Sequence, residues 1–155
     1  MRADLPLLLI SWFSATGTNA RLAQAAARAA RRQEGVRVRK RRAQATTEAD
    51  LAQAQGYIFI APENFGQLCG GLRIMFEKHF YALEEALQGR PYASITGCGN
   101  DGRGAVRDLD RICTGWRLQR VTPALICHNP LQADDLKAAA DIGAGLAAGL
   151  AAGVF

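Results

Sequence analysis

Ser14-Ala15-Thr16-Gly17-Thr18-Asn19 places three hydroxyls and a glycine in six residues. The segment follows the apolar run Leu5 to Phe13 and precedes an Ala-rich stretch, Arg21 to Arg32. A loop of this kind between a buried strand and a helix can hold a phosphate. The helix N-terminus offers unpaired N–H groups and positive dipole potential. Gly17 lets the backbone approach a ligand closely, and Ser14, Thr16 and Thr18 can add hydroxyl donors. The loop contains no Lys or Arg, which suits one terminal phosphate better than a triphosphate with magnesium. The same residue types also cap helices in ordinary strand–helix turns, so taken alone the loop fits both readings.

Two further segments invite chemical readings. Ala61-Pro62-Glu63-Asn64-Phe65-Gly66 follows an apolar run, with Pro62 and Gly66 both opposing helix. Gly97-Cys98-Gly99-Asn100-Asp101-Gly102 satisfies the G-x-G-x-x-G dinucleotide fingerprint by spacing. It sits late in the chain, however, and no acid ends the next strand at the distance of about 20 residues that a ribose contact requires. A Gly-rich turn, or a loop that approaches some other ligand, suits it better. The four cysteines, Cys69, Cys98, Cys113 and Cys127, form no C-x-x-C pair and no zinc spacing. They read as buried thiols of a reducing cytosol. Cys98 and Arg103 lie one residue too close for a phosphatase loop. His79 reads as a surface or satisfied core histidine. His128 lies near the presumed ligand edge, where a proton-transfer role is conceivable.

The elements that must position these loops follow from hydrophobic patterning. Leu5 to Ile10 and Tyr57 to Ile60 are continuous apolar runs, as in strands buried on both faces of a parallel sheet. Tyr92 to Thr96 and Val121 to Cys127, the latter interrupted by Pro123, add two more strands. Val36 to Arg42 alternates Val with Arg, as suits a charged edge strand. Helices are expected over 20–32, over 47–54 with Thr47 as cap, from Gly71 through Leu87, over 105–116 and over 134–154. Five strands alternating with helices call for a single three-layer α/β/α domain spanning 1–155. With strand order 2-1-3-4-5, the loops after strands one, three and four converge on one edge, where such sheets bind ligands.

Composition narrows the function classes. The 155 residues are 49% hydrophobic and 21% charged, as in an ordinary globular domain. The first apolar run is too short to span a membrane and ends in a polar loop, so neither a leader nor a membrane anchor is expected. The net charge is +5. Arg28 to Arg42 holds eight of the 19 basic residues and one acid, Glu34, so the rest of the chain is slightly acidic. A local patch argues against general nucleic-acid binding. Arg37, Arg39, Lys40, Arg41 and Arg42 could still attract the 2′-phosphate of NADPH, an acidic partner or a nucleic acid, or form a solvated edge. Gly145, Gly149 and Gly153 are expected to let the last helix pack closely on the sheet; a homodimer through them or through the third helix stays open.

In order and context, these motifs resemble the flavodoxin-like FMN-binding family across nearly the whole chain. Ser14 to Asn19 resembles its Ser/Thr-x-Thr-Gly-x-Thr phosphate loop. Ala61 to Gly66, with Gly70-Gly71-Leu72 and the helix to Tyr81, resembles the Pro-Glu-Asn-Phe-Gly segment of small bacterial NAD(P)H-dependent oxidoreductases of this family. Gly99-Asn100-Asp101-Gly102 with Ala105-Val106-Arg107 resembles their third flavin loop. The resemblance implies one non-covalent FMN, its phosphate held by Ser14, Thr16, Gly17, Thr18 and Asn19. Pro62, Glu63, Asn64, Phe65 and Gly66 would line the ribityl chain and ring. Gly97, Cys98, Gly99, Asn100, Asp101 and Gly104 would approach the pyrimidine edge, where backbone N–H groups can tune the flavin.

Electron-carrying members of the family tend to be strongly acidic and to sandwich the ring between Trp and Tyr. Here the chain is basic, and Phe65 is the one aromatic in those loops. The expectation is therefore a cytoplasmic NAD(P)H-dependent FMN oxidoreductase that passes electrons to a quinone, a flavin or another small acceptor. A non-enzymatic carrier docking a redox partner protein is the alternative. A flavin-free binding module of the same fold is a second.

Overall fold

Leu7–Trp12 forms the interior strand β1, and its residues 7–11 are buried. The computed structural model describes residues 4–155. After β1 come α1 (Thr18–Arg31), β2 (Arg37–Arg42), α2 (Glu48–Gln53) and β3 (Gly56–Ile60). A short hairpin, β4 (Glu63–Asn64) and β5 (Gln67–Leu68), leads into α3 (Gly70–His79). The chain continues through β6 (Pro91–Cys98), α4 (Arg103–Gly115), β7 (Gln119–Arg120), β8 (Leu125–His128) and α5 (Ala133–Ala151).

The main sheet runs β2-β1-β3-β6, with both β7 and β8 on β6, and every pairing in it is parallel. Counting β7 and β8 as one interrupted strand, this is the 2-1-3-4-5 order. The interruption falls at residues 121–124, around Pro123, which cannot donate to a ladder. One core layer packs Leu22, Ala26 and Ala30 of α1 and Leu146 and Leu150 of α5 against Leu8, Ile10, Ile58 and Ile95. The other packs Leu51 of α2, Leu72 and Phe76 of α3, and Leu109 and Cys113 of α4 against Leu9, Tyr57 and Phe59. The domain is thus a three-layer α/β/α sandwich. No described helix is long and apolar enough to cross a membrane.

Three expectations need correction. The helix from Gly71 does not run to Leu87. It ends at His79, and a 3-10 turn at Tyr81–Leu83 follows. The Trp116 indole donates to the Phe80 carbonyl at 2.9 Å, and Leu83 N–H bonds that carbonyl in an i to i+3 pattern. Leu83 and Leu87 still reach the core, so the apolar spacing survives although the helix does not. The segment 61–66 is not simply a loop, because Glu63 and Asn64 pair with Leu68 and Gln67. The glycine that lets α5 pack closely is Gly143, where a Cβ would strike the backbone of Ala26 in α1. Gly145 faces open space and Gly149 faces the ring of Phe155.

Candidate nucleotide-binding cleft

The β1–α1 loop is shaped by its own residues. Gly17 takes the left-handed conformation, φ 99°, which glycine adopts without a Cβ penalty. Its N–H bonds the Ser14 Oγ at 3.0 Å, and its carbonyl accepts from Arg21 N–H at 3.1 Å. No side chain caps α1. Among the described residues, the N–H groups of Thr18, Asn19 and Ala20 meet no acceptor. The helix therefore opens with donors and dipole potential available to an anion.

Asn19 is 3% exposed and its amide grips β6: Nδ2 donates to Gly97 O at 3.2 Å, and Oδ1 accepts from Gly97 N–H at 2.9 Å. What Asn19 can still offer a phosphate is its backbone N–H. A Cβ on Gly97 would lie 2.7 Å from Thr18 Cγ2, so a glycine is needed there for α1 to approach the sheet. The Thr18 hydroxyl donates to Asn129 Oδ1 at 3.0 Å. Asn129, just past β8, is held in turn by its N–H on Cys98 O at 2.9 Å. Nothing in the sequence pattern marked Asn129; it reaches the site only because β8 pairs with β6 to their last residues, Cys98 beside His128.

The β4–β5 hairpin sits opposite. Its turn residues Phe65 and Gly66 both have positive φ, 54° and 72°. Such turns favour Asn-Gly, so a bulky residue there is strained. The Phe65 side chain is fully exposed. Two carboxylates clamp the hairpin to α4. Glu63 Oε2 accepts from the N–H groups of Gly104 (2.9 Å) and Ala105 (3.3 Å), and Asp108 Oδ2 accepts from Leu68 N–H at 3.0 Å. Gly104 packs on the Gly66 carbonyl, where a Cβ would collide. Glu63 thus already supplies an anion to the α4 N-terminus, while the α1 N-terminus stays open.

In the β6–α4 loop, Gly102 is left-handed at φ 72° and precedes α4, and Asp101 Oδ1 accepts from Arg103 N–H at 3.0 Å. The Cys98 thiol donates to Asn100 O at 3.1 Å. Burial, then the carboxylates of Glu63 and Asp101, push that thiol above its ordinary range, so it stays protonated at neutral pH. The G-x-G-x-x-G spacing is thus accounted for by helix approach at Gly97 and turn geometry at Gly102.

One cleft gathers these parts. Ala15, Thr16, Thr18, Asn19, Pro62, Glu63, Asn64, Gly97, Cys98, Gly99 and Asn129 line it. Phe65 and Gly66 stand at the hairpin tip, and Asn100, Asp101 and Gly104 are not among the lining residues. Ser14 and Gly17 border a second cleft on the β2 side, with Trp12, Ala20, Arg42 and Gln44. His128 is exposed at the end of β8 outside the lining. His79 is a core histidine, its Nε2 3.2 Å from the Thr46 carbonyl.

No family model matches the sequence, and no curated protein does. Solved structures do match. A flavodoxin from the domain Archaea superposes with a TM-score of 0.83 at 14% identity, over 93% of this chain and 98% of that one. A WrbA-like flavodoxin from Agrobacterium tumefaciens gives 0.78 at 16% identity, over 94% and 97%. The flavodiiron core of Flv1 from Synechocystis sp. PCC6803 gives 0.84 at 19% identity over 98% of this chain, which spans 38% of that longer one.

The chain has the flavodoxin-like fold. At these identities the likeness is one of fold. In this flavodoxin-like sheet the cleft lies at the carboxyl ends of β1, β3 and β6, beside the point where strand order reverses, as open α/β sheets place their ligands.

Proposed function

We propose that this protein binds FMN in the three-loop cleft and works as an NAD(P)H-dependent oxidoreductase toward a quinone, a flavin or another small acceptor. The observation that carries the flavin reading is the pairing of an open α1 N-terminus with a walled cleft at the same sheet edge. The residues present fit the group. Thr16, with the N–H groups of Thr18, Asn19 and Ala20, suits the phosphate. Pro62, Asn64 and Gly99 suit the ribityl chain and the ring edge, since a Cβ on Gly99 would meet nothing within 4 Å. FMN held there supplies hydride and single-electron chemistry at its ring. The chain's own residues position it: Asn19 and Asn129 fix the loops, and Glu63 fixes the hairpin. The protonated Cys98 thiol gives the ring edge a neutral neighbour.

Enzyme is favoured over carrier by the open face of the cleft. Phe65 is the one aromatic in the segments 62–66 and 97–102, and nothing else aromatic there would exclude a second ring. The test is spectroscopic. Purified protein, or protein incubated with FMN and desalted, should retain a flavin absorbance spectrum. Anaerobic NADH or NADPH should then bleach it. Protein that holds no flavin sinks the reading, and a bound flavin that neither donor bleaches favours a carrier with a redox partner protein.

A further inference from the structure

We propose that Arg42 supplies the positive charge the phosphate loop lacks, acting on the dianionic terminal phosphate of FMN from the β2 side of the loop. This deepens the flavin reading above and rests on it.

The loop 14–19 contains no cation of its own, so neutral donors alone would face a dianion there. The parallel pairing of β2 with β1 changes that. Its last register pair sets Arg42 beside Trp12, so both strands leave the sheet at the edge where the loop begins. Arg42 shares one cleft with Ser14 and Gly17, on the outer side of the loop.

Strand alternation sorts the basic residues of β2. Arg39 and Arg41 point to one face and both meet Asp50, at 2.9 and 3.6 Å. Lys40 and Arg42 point to the other, over the Trp12 ring at 5.9 and 5.4 Å from its centroid. The Lys40 ammonium already has a partner, since it donates to Gln24 Oε1 of α1 at 2.6 Å. Arg42 meets no carboxylate among the described residues. Its side chain is exposed, and the aromatic face of Trp12 holds it at the loop. The backbone beneath is fixed, since the Arg42 carbonyl accepts from Thr46 Oγ1 at 2.9 Å and that hydroxyl bonds Ser11 Oγ at 2.8 Å. A guanidinium with no acid partner, braced on an aromatic ring beside a neutral anion loop, is placed to bind the anion.

The test separates the phosphate from the rest of the flavin. Apo-protein is titrated with FMN and with riboflavin, which lacks the phosphate, by quenching of flavin fluorescence. Arg42→Ala should weaken FMN about tenfold, as for one charge-assisted contact, and leave riboflavin unchanged. Arg42→Lys should recover part of the loss. The FMN affinity of the wild type should fall with added salt more steeply than that of Arg42→Ala. If wild type binds both flavins and Arg42→Ala weakens both equally or neither, this role for Arg42 is overturned while the flavin reading stands. If wild type binds neither, both fall together.

Discussion

Asn19 holds the N–H and the carbonyl of Gly97 with one side chain, across 78 residues of sequence. All three groups are buried, so losing the amide leaves two backbone groups without partners. Asn19→Ala should destabilise the fold by about 2–6 kcal/mol, given about 1–3 kcal/mol for each of the two buried groups left unsatisfied. Urea unfolding measures this, and a loss under about 0.5 kcal/mol would mean that water replaces the amide. The residue types of the loop were legible in the sequence as anion-binding or helix-capping. Which job each side chain does was not, because the partners of Asn19 and Thr18 lie on β6 and after β8. Glu63 shows the same limit. Its motif resembled a segment that lines the flavin, and it does line the cleft, but no local pattern showed that its carboxylate also bonds the α4 N-terminus, where a negative charge is favoured.

Among the elements, β2 shows what alternation does to a run of charge. The sequence shows Arg37-Val38-Arg39-Lys40-Arg41-Arg42 as one basic patch. The strand divides it, with Asp50 of α2 taking Arg39 and Arg41 and the Trp12 face taking Lys40 and Arg42. Asp50 also closes a capping box with Thr47 at the start of α2. Burial pushes the Asp50 carboxyl up, but bonds from Thr47 and Arg39 and the charge of Arg41 outweigh it and hold it below its ordinary value. A depressed carboxyl stabilises the fold above its unfolded value, and that contribution is lost as the pH falls through the folded one. Asp50→Asn should therefore cost about 1.5–3 kcal/mol at pH 7, the range for hydrogen bonds to a charged group. The two proteins should converge in acid, below the ordinary carboxylate range. Parallel stability curves across pH 2 to 7 would show that the charge of Asp50 contributes nothing. The alternation of Val and Arg was enough to call this an edge strand, but the partner across α2 was not visible in any local pattern.

At the scale of the whole molecule, two helical layers hold the sheet, and the α1–α5 layer depends on small residues. Ala26 and Gly143 bring the two backbones close enough that a Cβ at residue 143 collides. Gly143→Ala should destabilise the protein by about 1–3 kcal/mol through overpacking, although alanine is the better helix former. A rise in melting temperature would show that the helices separate freely. Glycine spacing in the sequence pointed to the 145, 149 and 153 positions instead, because a stripe of small residues does not say which one meets a neighbour.

The sequence by itself determined the alternation of the main strands and helices, the three-layer class and the three loops at one edge. Those follow from local rules: apolar runs make buried strands, helix formers alternate with them, and parallel connections are right-handed. Only the tertiary structure decided that the α1 N-terminus is open while Glu63 occupies that of α4, that Asn129 joins the cleft, and that Arg42 stands beside the β1–α1 loop. Each of these is a contact between residues far apart in the chain. The register of β1 against β2 sets the place of Arg42, and that of β6 against β8 the place of Asn129; register is a property of paired strands that neither strand carries alone.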